Sequence, residues 1–320
     1  MTDQTNNPMS SSFPERPVLF AFLGFIIIGG GGPVAMRATY TELAPFWVAT
    51  SRFALAALAF LVLAFFKKIP LPKGRALWGA LVFGALTFGL AFVFIAWSLV
   101  VVPASLLQIL MALVPLLTLF LATFHGVEAI SRRGIFGALL AVLGITISIG
   151  GTSAAAFSLP HIAAAVIAAA CMAEGGVVIK AFPPNPPIMT NAIGMSVGAT
   201  ILGITSLVSG EKWAIPTQPQ TWIAFIYLVV FVTLVGFLLY AFILGNWTAS
   251  KTSYGFVIVP LVTIVVASTL TGEIITINFL IGAALVLLGV LVGALLPSKT
   301  NPAVIEECKD CSGRVLPRCV

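Results

Sequence analysis

The stretch VPLLTLFLATFHGVEAISRRGIFGALLAVLGI, residues 114–145, recurs without a gap as VPLVTIVVASTLTGEIITINFLIGAALVLLGV, residues 259–290, at an offset of 145. Pro115, Thr118, Glu128, Gly137, Leu140 and Gly144 become Pro260, Thr263, Glu273, Gly282, Leu285 and Gly289. Twelve of the 32 aligned positions are identical. Random matching in an apolar chain yields some shared Leu and Val, but it does not readily hold a proline, a glutamate and two glycines at one offset. The chain therefore reads as two copies of one unit, and in a membrane protein such a duplication bears on function.

The membrane setting follows from composition. Hydrophobic residues make up 60% of the 320-residue chain and charged residues 8%, and the mean hydropathy is +1.13. A water-soluble fold of this size cannot hide so much apolar surface, so lipid has to cover it. A spanning helix needs about 20 apolar residues. Ten such runs can be drawn: 18–36, 43–66, 76–97, 101–123, 134–150, 159–180, 188–209, 221–244, 253–271 and 275–296. They are too long and too uniformly apolar for barrel strands, and helices satisfy their own backbone in lipid. The expected fold is all-α and integral to the membrane. Polar tails at 1–17 and 297–320 flank two five-helix units, 18–150 and 159–296.

The net charge of +6 would suit a nucleic-acid partner if it were clustered on a soluble surface. It lies instead in short connections, where it sets orientation. With the N-terminus inside, thirteen Lys and Arg fall on the cytoplasmic side, among them Lys67, Lys68, Arg75, Arg132, Arg133 and Lys180, and only Arg37 and Lys212 fall outside. Both termini are then expected in the cytoplasm. Five spans separate a residue from its copy, an odd number, so the two units run in opposite senses across the membrane. Glu128 should mark the cytoplasmic boundary and Glu273 the external one. Inverted repeats of this kind let a central site open alternately to each face. A duplicated scaffold without transport is the plainer alternative.

The pattern Pro-Leu-Leu-Thr, Glu-Ala-Ile, Gly-Ala-Leu-Leu and Gly, present twice, resembles the repeated EamA-type domain of the drug/metabolite transporter superfamily. The resemblance runs from about residue 18 to 296 and is strongest in the last two spans of each unit. It implies a ten-helix exporter of small metabolites in a bacterial inner membrane, most similar to aromatic-amino-acid exporters of the YddG type. It also implies that Glu128 and Glu273 are structural residues at helix boundaries.

Polar residues within the spans are few. Arg52 and Glu174 are ionisable groups at depth, which cost several kcal/mol unless paired or wetted. They would suit the carboxylate and the ammonium of an amino acid, or they pair with each other, with Glu42 or with Lys180. Gln108 and Met111 lie one helical turn apart above Pro115, and a buried amide needs a partner. Trp97 and Tyr240 complete the candidate substrate contacts, although aromatic residues at span ends are most often interfacial anchors, as Trp47, Trp247 and Tyr254 would be. His161 reads as a solvated boundary residue. Gly29, Gly30, Gly31, Gly32 and Pro33 form the sharpest expected break in any span, serving either as a hinge or as a close-packing surface. Pro115 and Pro260, mid-span at equivalent places, are expected to kink the helices that open and close.

Other chemistries lack their signatures. Residues 245–252 approximate a phosphate-binding loop, but they follow an apolar helix and no soluble α/β domain surrounds them. Cys171 reads as a packing residue. Cys308, Cys311 and Cys319 in the tail form a weak metal signal without a nearby His. No metal site, cofactor or catalytic constellation is expected, and the chain is not read as an enzyme. A phosphorylated substrate would need more cations than Arg52 alone. The expected function is secondary transport of amino acids, aromatic or otherwise neutral, or of similar small metabolites. Proton-coupled multidrug antiport through Glu174 and passive conduction are the alternatives. The expected partners are the substrate and the bilayer, with a single chain enclosing the path.

Overall fold

A computed structural model describes residues 16–126, 132–150, 158–247 and 255–295. Glu128, Tyr254 and the tail cysteines lie outside the described residues. Every regular element among those described is helical. In chain order α1 is Arg16–Thr39, α2 Pro45–Phe66, α3 Arg75–Leu99, α4 Ala104–Phe124 and α5 Arg132–Gly150. The second unit has α6 at Leu159–Val178 and α7 at Pro187–Val208. Its α8 runs in three pieces, Pro219–Ile226, Tyr227–Val235 and Gly236–Asn246. It ends with α9 at Gly255–Leu270 and α10 at Ile277–Val290. Nine helices among the described residues are long and apolar enough to cross a bilayer, and the apolar run in α9 is shorter. The fold is that of a ten-helix membrane protein. Phe20, Leu58, Leu139 and Val265 point outward and exposed, as lipid-facing side chains do.

The packing repeats what the sequence repeats. The pairs α1–α9 and α6–α4 are related by the 145-residue offset, as are α1–α8 and α6–α3. The mates α2 and α7 pack on each other, and so do α5 and α10. Each unit is therefore packed chiefly against the other. At the α5–α10 crossing, a methyl on Gly137 would strike the carbonyl of Gly289, and one on Gly144 would strike that of Gly282. Gly137 and Gly282 are copies, as are Gly144 and Gly289. Each glycine thus meets the copy of the other one, which requires the helices to run antiparallel. The small residues let the two backbones touch where lipid offers no hydrophobic drive to association.

Three helices depart from regular α geometry within their spans, and a π-helical turn at Leu291–Leu295 also extends the end of α10. A π-helical turn occupies Ala85–Leu90 in α3 and another Tyr227–Val235 in α8. Subtracting 145 from the second gives 82–90, so the two wide turns sit at equivalent places. Such turns are often found at functional sites. The fourth span is divided at Ala112 and Leu113, between Ala104–Met111 and Val114–Phe124, with Pro115 in the first turn of the second piece. Its copy Pro260 lies inside a helix that runs unbroken from Gly255 to Leu270, so α9 is not divided as the fourth span is.

The expected break at Gly29–Pro33 is also absent, because α1 is continuous through Pro33. The glycines serve contact instead. A methyl on Gly30 would run into Val262, and one on Gly31 into the Tyr227 hydroxyl. Two carbonyls in this stretch accept bonds from other helices, Ile28 from Tyr227 Oη at 2.8 Å and Gly30 from Thr263 Oγ1 at 2.8 Å. Close packing, not a broken helix, accounts for the run.

Candidate functional site

A cavity of about 170 Å³ lies where α1, α2, α3, α4, α6 and α8 meet. It draws on both units. Its polar groups are the Arg52 guanidinium and the Gln108 amide, and much of the rest is apolar, including Met36, Phe92, Met111 and Met172.

Arg52 is 5% exposed. Its Nε donates to Thr233 Oγ1 at 2.6 Å, and Thr233 in turn donates to the Leu228 carbonyl five residues back at 2.8 Å. That i−5 bond belongs to the wide turn in α8, so the π-helical geometry sets the hydroxyl that holds the arginine. The guanidinium carbon lies 5.2 Å from the Phe53 ring centroid and 5.4 Å from that of Phe92, so two aromatic faces cover part of the charge. Among the described residues no carboxylate pairs with Arg52. At the nearby end of α1, the Tyr40 hydroxyl is buried without a hydrogen-bond partner. Burial pushes that phenol up while Arg52 pulls it down.

The cavity gathers Arg52, Gln108, Met111, Gly29, Gly32 and Pro33 of the residues singled out from the sequence. It does not gather the others. Glu174 is neither paired with Arg52 nor among the lining residues; its Oε1 meets His125 Nε2 at 2.7 Å, and its Oε2 is buried without a partner. The Trp97 and His161 rings lie tilted against each other with centroids 4.6 Å apart, and His161 is half-buried, its Nδ1 shielded and without a hydrogen-bond partner among the described residues. Tyr240 packs against Phe25 at 5.6 Å. Thr233, Phe92, Met172 and Val232 belong to the cavity or hold its arginine and carry no sequence signature of that role.

Three glutamates close one membrane face by capping helix N-termini across the two units. Glu273, before α10, accepts from Ala104 N at 2.9 Å and Ser105 Oγ at 2.6 Å at the start of α4, and pairs with Arg37 at 3.5 Å. Glu211, after α7, accepts from Phe46 N at 3.1 Å and Trp47 N at 2.9 Å at the start of α2. Glu42, after α1, accepts from the Thr217 hydroxyl and from Gln218 N at 3.3 Å at the start of α8. The Thr217 hydroxyl and the backbone N–H groups of Thr217 and Gln218 hold Glu42 down at about 2. Carboxylates suit these positions because a helix N-terminus presents unpaired N–H groups and the positive end of the dipole. Trp47 and Trp213 stack at 4.5 Å over the same face. Glu273 thus ties an opposite-unit helix, beyond the boundary role expected of it. On the other face Asn185 donates to the Ala76 carbonyl at 2.8 Å, and the His125–Glu174 contact links α4 to α6.

The profile of the EamA-like transporter family matches residues 16–150 and again 159–294. A curated relative, described as the uncharacterized transporter YyaM of Bacillus subtilis (strain 168), is 28% identical over 286 residues, covering 86% of this chain and 92% of its own length. A solved crystal structure covers 88% of this chain and 97% of its own, with a TM-score of 0.62 at 17% identity, which is a likeness of fold.

Proposed function

Because the chain belongs to the EamA-like transporter family, we propose that it is a secondary transporter that exports amino acids or similar small metabolites by alternating access. The observation that carries this reading is the cavity between inverted units, with a buried Arg52 at its wall that no carboxylate among the described residues neutralises. An uncompensated cation at depth is costly unless water or a ligand reaches it. In this reading the glutamate face is external, both termini are cytoplasmic, and the membrane is a bacterial inner membrane. A single chain suffices, since one chain encloses the cavity. Aromatic or other neutral amino acids fit the apolar lining, with the carboxylate at Arg52.

Counterflow tests it. Proteoliposomes preloaded with unlabelled leucine or phenylalanine should transiently accumulate the labelled form, with saturation. Flux that grows linearly with concentration and shows no counterflow indicates a passive channel and sinks the carrier reading.

One observation favours proton coupling as a second reading. Glu174 is an ionisable group at depth with a histidine on one carboxylate oxygen and, among the described residues, no hydrogen-bond partner on the other. Glu174→Gln should then abolish uptake driven by a pH gradient while exchange persists. Intact pH-driven uptake in that variant removes the idea.

A further inference from the structure

The charge balance of the cavity carries a statement about its cargo, and it rests on the transport reading above. Arg52 is nine-tenths buried or more, lines the cavity, and uses only Nε toward Thr233 among the described residues. The described residues hold four carboxylates. Glu42, Glu211 and Glu273 cap helices at one face, and Glu174 is engaged by His125. None lines the cavity. The site therefore has a fixed positive charge and nothing anionic to receive a second one.

A ligand carboxylate would neutralise Arg52 and bond its remaining guanidinium N–H groups. A ligand ammonium would have to leave water with no counter-charge, which is unfavourable. Two neutral acceptors are available, and the first is the side-chain amide oxygen of Gln108. Pro33 has no N–H, so the carbonyl of Gly29 loses its helical donor, and Gly29 lines the cavity. Each of these oxygens can accept a hydroxyl or amide hydrogen. The Met, Phe and Val side chains around these groups call for an apolar body, and methionines adapt to varied shapes. The volume of about 170 Å³ compares with the roughly 150 Å³ that accommodates benzene in an engineered cavity.

We propose that the preferred cargo is a small apolar monocarboxylate carrying at most a neutral hydrogen-bond donor, such as a 2-hydroxy acid, in preference to the zwitterionic amino acid of the same shape.

The test uses three near-isosteric solutes in proteoliposomes of the full chain: 2-hydroxy-4-methylpentanoate, leucine, and 2-hydroxy-4-methylpentanamide. Counterflow of the labelled hydroxy acid should half-saturate at least about tenfold below leucine, the scale of one charged hydrogen bond. In Arg52→Gln the acid-to-amide ratio of half-saturation should collapse by about tenfold or more, while Arg52→Lys should keep the acid preferred. Leucine matching or beating the hydroxy acid overturns the proposal and leaves the carrier standing. An unchanged acid-to-amide ratio in Arg52→Gln also overturns it. If none of the three solutes shows counterflow, the proposal and the carrier reading fall together. The wild-type comparison needs no variant, so a misfolded variant does not protect the proposal.

Discussion

In the proposed transport reading, Arg52 and Thr233 make the smallest unit of the site. Thr233→Val keeps the shape and removes the acceptor for Arg52 Nε. Losing a hydrogen bond to a buried charge costs about 1.5–3 kcal/mol. The variant should unfold at lower temperature in detergent and half-saturate at higher substrate concentration, and Thr233→Ser should restore both. No loss in either measurement would detach Thr233 from the site. Glu42 gives a pH prediction. Its carboxyl is held at about 2, below the ordinary value of 4.5, so its tether is fully present above the ordinary value and is lost only as pH falls through about 2. Carboxyl NMR of labelled protein in nanodiscs should show Glu42 still ionised at pH 4; a midpoint near 4.5 contradicts the tether. Arg52 was legible in the sequence as the one cation well inside a span. Glu174 lies off the cavity because depth in a span says nothing about helix phase. Met172 lines the cavity, and two residues further along an α-helix is a rotation of roughly 200°. Trp97 lies off it in the same way, two residues from both Ile95 and Leu99, which line the cavity. Thr233 could not be found, since threonines within helices commonly bond their own backbone and its partner is 181 residues away.

At the level of elements, the sequence repeat foretold the inversion, and the α5–α10 crossing expresses it through glycines. Gly144→Val would press a branched side chain onto the Gly282 carbonyl. Overpacking of this kind costs about 1–3 kcal/mol, read as a lowered melting temperature, with Gly144→Ala milder. Equal stability of all three proteins would show that the crossing can relax. The repeat also carries the partners of its glutamate: Ala104–Ser105 recur as Ala249–Ser250, in step with Glu273 and Glu128. Glu273→Gln places an amide donor against the N–H groups of Ala104 and Ser105. It should favour opening of the glutamate face by about 1–3 kcal/mol, seen as faster impermeant-maleimide labelling of a Cys at Leu99 or Leu107. Glu128→Gln is predicted to slow that labelling. Changes in the same direction would break the link between repeat and gating. At Gly29–Pro33 the helix continues where its own sequence is weak, because side chains and hydroxyl donors of other helices pack against it. Only Pro115, at the start of a helical piece, keeps the expected interruption.

At the scale of the whole molecule, the proposed motion is a rocking of the two inverted units about the Arg52 cavity, one face closing as the other opens. The structure has the glutamate face tied by three cross-unit caps. The most direct measurement is a pair of distances by electron spin resonance in nanodiscs, with Cys171 and the tail cysteines replaced. One label pair at Thr41 and Lys212 reports the glutamate face, and a second at Lys73 and Lys180 reports the opposite face. Saturating 2-hydroxy-4-methylpentanoate or leucine, or the Glu273→Gln change, should redistribute both distances in opposite senses, one face widening as the other narrows. Two distances that stay fixed, or that widen together, would contradict alternating access by this chain.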